Sequence, residues 1–217
     1  MPRLVVFDLD GTLVDSAGDI AAAVNSALAR LSPTSTPLPL AQVKGFVGDG
    51  ARTLIERVLR HQRLELEPDA VLPVYLECYR ERLLATTRLY PGIEDALAGL
   101  RAKGATLAVL TNKPGDMSRA LLDGLGAGQR FARVWGGGDT PARKPDPTGL
   151  VALAAELGAE VALTWMVGDS AIDVQTARAA GAKAAGVGWG FDLNALRSAQ
   201  PDRFVENPQE LVRLIDD

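Results

Sequence analysis

Runs of three to five mostly apolar residues recur along the chain, and the stretches between them carry hydrophobic positions at helical spacing. The runs are Leu4-Val5-Val6, Thr106-Leu107-Ala108-Val109-Leu110, Arg133-Val134-Trp135, Leu163-Thr164-Trp165-Met166-Val167 and Ala184-Ala185-Gly186-Val187. Near-continuous apolarity is what a parallel strand buried on both faces requires. Residues 93–103, 116–125, 148–157 and 173–180 read as helices between the strands. A last helix starts at Asn207-Pro208, with Asn207 as cap and Pro208 in the first turn. This alternation predicts an α/β protein on a doubly wound, Rossmann-like parallel sheet.

Residues 16–87 break the pattern. Asp15-Ser16 offers an N-cap, and Ile20 to Val24 with Leu28 and Leu31 has helical spacing up to Pro33. A loop with three prolines spans 32–39, and 40–47 leads into Gly48-Asp49-Gly50. Helical spacing resumes at Leu54, Ile55, Val58 and Leu59, and again over 71–84. No strand is evident there, so 16–87 is expected to be an all-helical cap domain inserted after the first strand. Residues 1–15 and 88–217 then form the α/β catalytic core domain, with Tyr90-Pro91-Gly92 marking the return.

Composition narrows the function classes. The 217 residues carry a net charge of -4 with no basic block, which argues against nucleic acid as a partner. The most apolar long window, 150–167, is interrupted by Glu156 and Glu160 and fails as a membrane span. With no signal-peptide pattern, a cytoplasmic protein is expected. Cys78 is the only cysteine, which excludes an internal disulfide and a cysteine-rich metal site, and His61, the only histidine, lies among Arg60, Gln62 and Arg63 on a solvated face, so a histidine-assisted nucleophile is not expected. Proton transfer must use carboxylates, a lysine or water.

In open α/β sheets, ligands bind beyond the carboxyl ends of the strands. The first strand delivers Asp8 and Asp10, followed by Gly11, although an acidic turn also accounts for this pair. The second delivers Thr111 and Asn112, which could be a cap, and a later one delivers Asp169, with Asp173 four residues on. A cap or turn explains any one of these, but not polar and acidic groups at three strand ends on one edge. Carboxylates so gathered repel by as much as about 4 kcal/mol per pair at about 4 Å and an effective dielectric of about 20, so a cation is expected. Oxygen ligands alone select a hard ion, Mg²⁺, which in turn favours a phosphorylated substrate. Lys144 precedes Pro145, which restricts its backbone to extended conformations. It suits a fixed point charge for phosphate or a carboxylate, where most loop lysines are simply solvated.

Together, Asp8-Leu9-Asp10-Gly11-Thr12, Thr111-Asn112, Lys144-Pro145 and Gly168-Asp169-Ser170 with Asp173 follow the order of four motifs. The chain thereby resembles the haloacid dehalogenase superfamily of hydrolases along its whole length. Gly48-Asp49-Gly50-Ala51, Tyr90-Pro91-Gly92, Thr111-Asn112-Lys113-Pro114, Gly137-Gly138-Asp139-Thr140 and Lys144-Pro145-Asp146-Pro147 are similar to the bacterial phosphoglycolate phosphatases within it. The resemblance implies a Mg²⁺-dependent phosphomonoesterase of a small phosphorylated metabolite, 2-phosphoglycolate first, acting through an aspartyl-phosphate. Asp8 would be nucleophile and metal ligand, and Asp10 acid and base, with its backbone carbonyl on the metal. Asp169 and Asp173 would complete the metal site. Thr111, Asn112, Lys144 and backbone N–H groups of the Gly11-Thr12 loop would hold phosphoryl oxygens.

In the cap, Gly48-Asp49-Gly50 would be the specificity loop, with Arg52 and Lys44 as candidates to meet a substrate carboxylate. Phosphatases of sugar phosphates and amino-sugar acid phosphates share nearly the same motifs. A phosphate-binding regulatory protein is the non-enzyme alternative, and intact Asp8, Asp10, Lys144 and Asp169 argue against it. Gly188-Trp189-Gly190-Phe191 departs from the glycine-tyrosine-asparagine run common in relatives. A monomer or homodimer is expected.

Overall fold

The computed structural model describes residues 3–216. Strand β1 (Leu4–Phe7) leads through a tight turn into β2 (Val14–Asp15) and four helices: α1 (Ala17–Leu31), α2 (Leu40–Lys44), α3 (Ala51–Gln62) and α4 (Pro68–Arg80). The chain returns through β3 (Arg88–Leu89) into α5 (Ile93–Ala102), β4 (Thr106–Pro114), α6 (Gly115–Gly124) and β5 (Arg133–Gly137). It continues with α7 (Thr148–Glu156), β6 (Trp165–Gly168), α8 (Ala171–Ala180), β7 (Lys183–Val187), α9 (Leu193–Ser198) and β8 (Arg203–Val205).

Six strands form one parallel sheet in the order β5-β4-β1-β6-β7-β8. β1 runs beside β4 from Leu4–Thr106 to Phe7–Val109, and beside β6 from Val5–Trp165 to Phe7–Val167. Later strands add outward on both sides of it, so the strand order reverses at the carboxyl end of β1, where a crevice opens. Alternate β1 side chains serve two cores. Val5 and Phe7 pack with Leu97 of α5 and Leu121 of α6, whereas Leu4 and Val6 pack with Leu150 of α7 and Val174 of α8. Burial on both faces is why the run reads as uniformly apolar.

Helices α1 to α4 enclose a separate cluster built from Ile20, Val24, Ile55, Val58, Tyr75 and Tyr79. The fold is therefore α/β with an inserted helical cap. The two chain segments at its base are paired antiparallel, Val14 with Leu89 and Asp15 with Arg88. A buried carboxylate ties them further, because Asp19 on α1 accepts from the backbone N–H and hydroxyl of both Thr86 and Thr87. No helix among the described residues is long and apolar enough to cross a membrane.

Several elements differ from expectation. β4 runs on through Asn112 and Lys113 to Pro114, past its apolar run. The expected final helix is a 3-10 segment, Pro208–Ile215, and the Asn207 side chain donates to Glu210 Oε1 instead of capping it. Ser16 likewise leaves the start of α1 uncapped, since its hydroxyl donates to Asp10 Oδ1 at 2.5 Å.

Candidate active site

Asp8 follows the last residue of β1, Asp169 the last of β6, and Asp173 sits in the first turn of α8. Because Phe7 and Val167 are register partners, the residues after them meet. All three carboxylates are buried, with one oxygen from each lying within 4.8 Å of the others. Backbone packs directly on them. Gly11 has φ of 85°, and a Cβ there would lie 2.2 Å from Asp169 Oδ2, so the turn admits only glycine. Asp169 accepts from Phe191 N at 2.8 Å and from the Thr12 hydroxyl at 3.4 Å. Asp173 closes a capping box with Ser170, accepting from its backbone N–H at 3.1 Å and its hydroxyl at 2.6 Å.

Lys144 Nζ lies 2.8 Å from Asp8 Oδ1 and 2.6 Å from Asp173 Oδ1. Burial alone would lower this ammonium's pKa, but Asp173 and Asp8 outweigh it and hold the lysine above its ordinary value. One lysine does not balance three carboxylates. Burial, then the neighbouring Asp8 and Asp173, push the Asp169 carboxyl well above the ordinary range. A divalent cation would relieve both effects, and a donor set made only of oxygens fits a hard one. The residues present therefore fit a metal.

The extension of β4 carries three buried polar residues into the same crevice, helped by a register shift against β5 between Leu110 and Pro114. Thr111 Oγ1 accepts from Lys113 N at 3.3 Å. Asn112 donates one side-chain amide to two carbonyls, Gly48 O at 3.1 Å and Lys144 O at 3.0 Å. Lys113 Nζ reaches Asp10 Oδ1 and Oδ2 at 3.0 and 3.1 Å, and donates to the Tyr79 hydroxyl. Burial pushes the Lys113 ammonium down, against the pull of Asp10. Asp8, Asp10 and Lys113 border a cavity of about 40 Å³, whose opposite wall is apolar and includes Ile20, Val47, Leu54 and Leu76 of the helical insertion.

The structure thus brings Asp8, Asp10, Thr111, Lys144, Asp169 and Asp173 to one crevice. It corrects other expectations. Gly11 N donates to Val14 O and Thr12 N to Leu9 O, so those N–H groups are used within the turn. Among the described residues, the N–H groups of Leu9 and Asp10 have no acceptor, and these directly follow Asp8. Asn112 spends its side-chain amide on two carbonyls, so that amide braces the crevice.

Gly48 and Gly50 border the cavity, whereas Asp49 pairs with Arg57 at 2.5 Å. Arg52 turns outward to Asp69 at 2.9 Å and to Glu56, because Leu54 and Ile55 occupy the buried face of α3. Lys44 lies over the Phe191 ring, 5.2 Å from its centroid. The sequence alone assigns Lys113 no role. The available signal was its place two residues after Thr111, the spacing that puts strand side chains on one face.

The family model described as haloacid dehalogenase-like hydrolase matches residues 5–187. Phosphoglycolate phosphatase from Neisseria meningitidis serogroup A is 40% identical over 218 residues, covering 96% of this chain and 92% of that protein. Phosphoglycolate phosphatase 1 from Pseudomonas aeruginosa is 37% identical over 222 residues, covering 100% of this chain and 80% of that protein. A crystal structure described as a predicted phosphoglycolate phosphatase from Haemophilus somnus superposes with a TM-score of 0.92. It is 30% identical and covers 99% of this chain and 98% of that one. Since the matched span runs from β1 to the end of β7 and takes in every carboxylate and lysine of the crevice, the chain belongs to the haloacid dehalogenase-like hydrolases.

Proposed function

We propose that the chain is a Mg²⁺-dependent phosphatase of small phosphorylated metabolites, working in the cytoplasm with 2-phosphoglycolate as its substrate. The observation that carries the reading is one turn presenting two carboxylates with different partners to one cavity. Asp8 is held by Lys144 within the metal-type cluster, and Asp10 by Lys113 and Ser16 outside it. The relatives' printed activity supports the substrate.

In this mechanism Lys144 holds Asp8 Oδ1 and leaves the other oxygen free to attack phosphorus in line. A bond from Asp8 to phosphorus forms as the ester P–O bond breaks, and Asp10 gives its proton to the departing alkoxide. In the second half, Asp10 takes a proton from water as the water oxygen attacks phosphorus, and Asp8 leaves as a carboxylate. Lys144, the Thr111 hydroxyl and the N–H groups of Leu9 and Asp10 hold the phosphoryl oxygens, where charge stabilisation dominates catalysis. Mg²⁺ on Asp8, Asp169 and the Asp10 carbonyl, with Asp173 in support, would supply positive charge to those oxygens. Residues 16–87 act as the cap that closes the site against water, over a core of residues 1–15 and 88–217.

The test is turnover of an aryl phosphate with Mg²⁺ and with EDTA, alongside Asp8→Asn. Activity that survives both treatments would sink the mechanism. A panel of small phosphates compared by kcat/KM tests the substrate; a sugar phosphate ahead of phosphoglycolate would change the substrate and leave the reaction class.

A further inference from the structure

We propose that Lys113 receives the carboxylate of the leaving group, exchanging an oxygen of Asp10 for an oxygen of the substrate. This rests on the phosphatase reading above and adds to it the residue that selects an acidic alcohol. Glycolate carries a negative charge into a cavity whose insertion wall is largely apolar, and a carboxylate buried there without a partner is heavily penalised. Arg52 and Lys44 do not serve, as one is paired outward and the other lies on Phe191. Among the described residues bordering the cavity, Lys113 is the cation.

Its position matches the geometry of the substrate. The carboxylate carbon of glycolate is two bonds from the ester oxygen, so the group that binds it must stand beside the acid that serves that oxygen. Lys113 Nζ stands 3.0 Å from Asp10 Oδ1. The side chain is 3% exposed and is fixed by the Tyr79 hydroxyl, whose ring stacks on Tyr75 with centroids 5.8 Å apart. An ammonium has three N–H donors. Here they face both Asp10 oxygens and Tyr79, so Asp10 is clamped.

A substrate carboxylate arriving at Nζ takes over one of the Asp10 contacts, and the released Asp10 oxygen turns to the ester oxygen. A neutral leaving group leaves the clamp shut. Selection for the acid is therefore expressed in kcat as well as KM. Because Tyr79 belongs to α4, the lysine is aligned only with the helical insertion in place.

The experiment measures kcat and KM for phosphoglycolate and for ethyl phosphate, which has the same two-carbon chain and no carboxylate. It uses the Mg²⁺-loaded enzyme as wild type, Lys113→Met and Lys113→Arg. The expected result is a wild-type preference for phosphoglycolate that falls about 30-fold in Lys113→Met, equivalent to about 2 kcal/mol, and partly returns in Lys113→Arg. Equal slowing of both substrates, with the ratio unchanged, would reduce Lys113 to a support for Asp10 and overturn the inference while the phosphatase reading stands. A wild type with no preference for phosphoglycolate removes the substrate assignment and this inference together. If Lys113→Met does not fold, Tyr79→Phe serves instead. It keeps the ammonium but removes its anchor, so the preference should fall several-fold, and an unchanged preference counts against the inference.

Discussion

Replacing Asp19 by alanine is expected to loosen the base of the helical insertion. Its buried carboxylate accepts from Thr86 N at 2.9 Å, Thr86 Oγ1 at 2.8 Å, and Thr87 N and Oγ1, both at 2.8 Å. Burial would raise its pKa, but these bonds, the Thr86 backbone N–H foremost, outweigh burial and hold it below the ordinary value. A hydrogen bond to a charged group contributes about 1.5–3 kcal/mol, and four donors sharing one carboxylate do not add in full. Alanine leaves the buried Thr87 N–H and hydroxyl without an acceptor, at about 1–3 kcal/mol each, whereas the exposed Thr86 can turn to water, so a loss of about 2–4 kcal/mol is expected. Asp19→Asn, which keeps one acceptor oxygen, should cost roughly half of that.

The assay is urea unfolding followed by two probes. Tryptophan fluorescence reports the sheet region, because Trp135, Trp165 and Trp189 all lie outside the insertion, and far-UV circular dichroism reports all helices. A folded-state pKa that is depressed gives stabilisation fully present above the unfolded value, near about 4, and lost as pH falls through the folded value. The gap between wild type and Asp19→Asn should therefore narrow in acid. An alanine variant within about 1 kcal/mol of wild type would refute the reasoning, since that is the scale of a single neutral hydrogen bond. So would a gap that stays constant down to acid unfolding.

Other outcomes follow from the crevice. Gly11→Ala puts a Cβ 2.2 Å from Asp169 Oδ2, and both Mg²⁺ affinity by calorimetry and kcat should fall about tenfold or more. Mg²⁺ should raise the melting temperature more at neutral than at acid pH. The raised Asp169 value means that ionising it costs stability once pH exceeds the unfolded value near about 4, and the cation offsets that cost. Equal stabilisation by Mg²⁺ at both pH values would contradict this. The Cys78 thiol is buried, so an aromatic disulfide reagent should label it at the rate of unfolding; fast labelling of the native protein would show the helical cluster to be open.

What could be read from the sequence depended on burial. β1, β4 and β6 are central strands covered on both faces, so their apolar runs marked them, and Asp8, Thr111 and Asp169 could be located just beyond. The edge strand β8, Arg203-Phe204-Val205, carries a charge and leaves no such trace, and β2 and β3 have two residues each. The polar end of β4 was invisible for another reason. Asn112 and Lys113 are tolerated in a buried strand only because Gly48, Lys144, Asp10 and Tyr79 satisfy them, and those partners lie 32 to 103 residues away in sequence. The outward turn of Arg52 depended on which face of α3 is buried. Which N–H groups remain free after Asp8 depended on how the Leu9–Val14 turn closes on itself.

Asn112 gives the crevice a mechanical asymmetry. Its amide reaches Gly48 of the helical insertion and Lys144 of the sheet-side loop, one carbonyl in each jaw. The first bond joins the insertion to the sheet side, and the second lies wholly within the sheet side. The Lys113 bond to Tyr79 and the Arg80–Asp116 ion pair cross the same boundary, whereas the lysine beside Asp8 is held by sheet-side carboxylates alone. The latch of this door is separate from the Asp8–Lys144–Asp173 part of its frame, whereas Lys113 shares its anchor with the door.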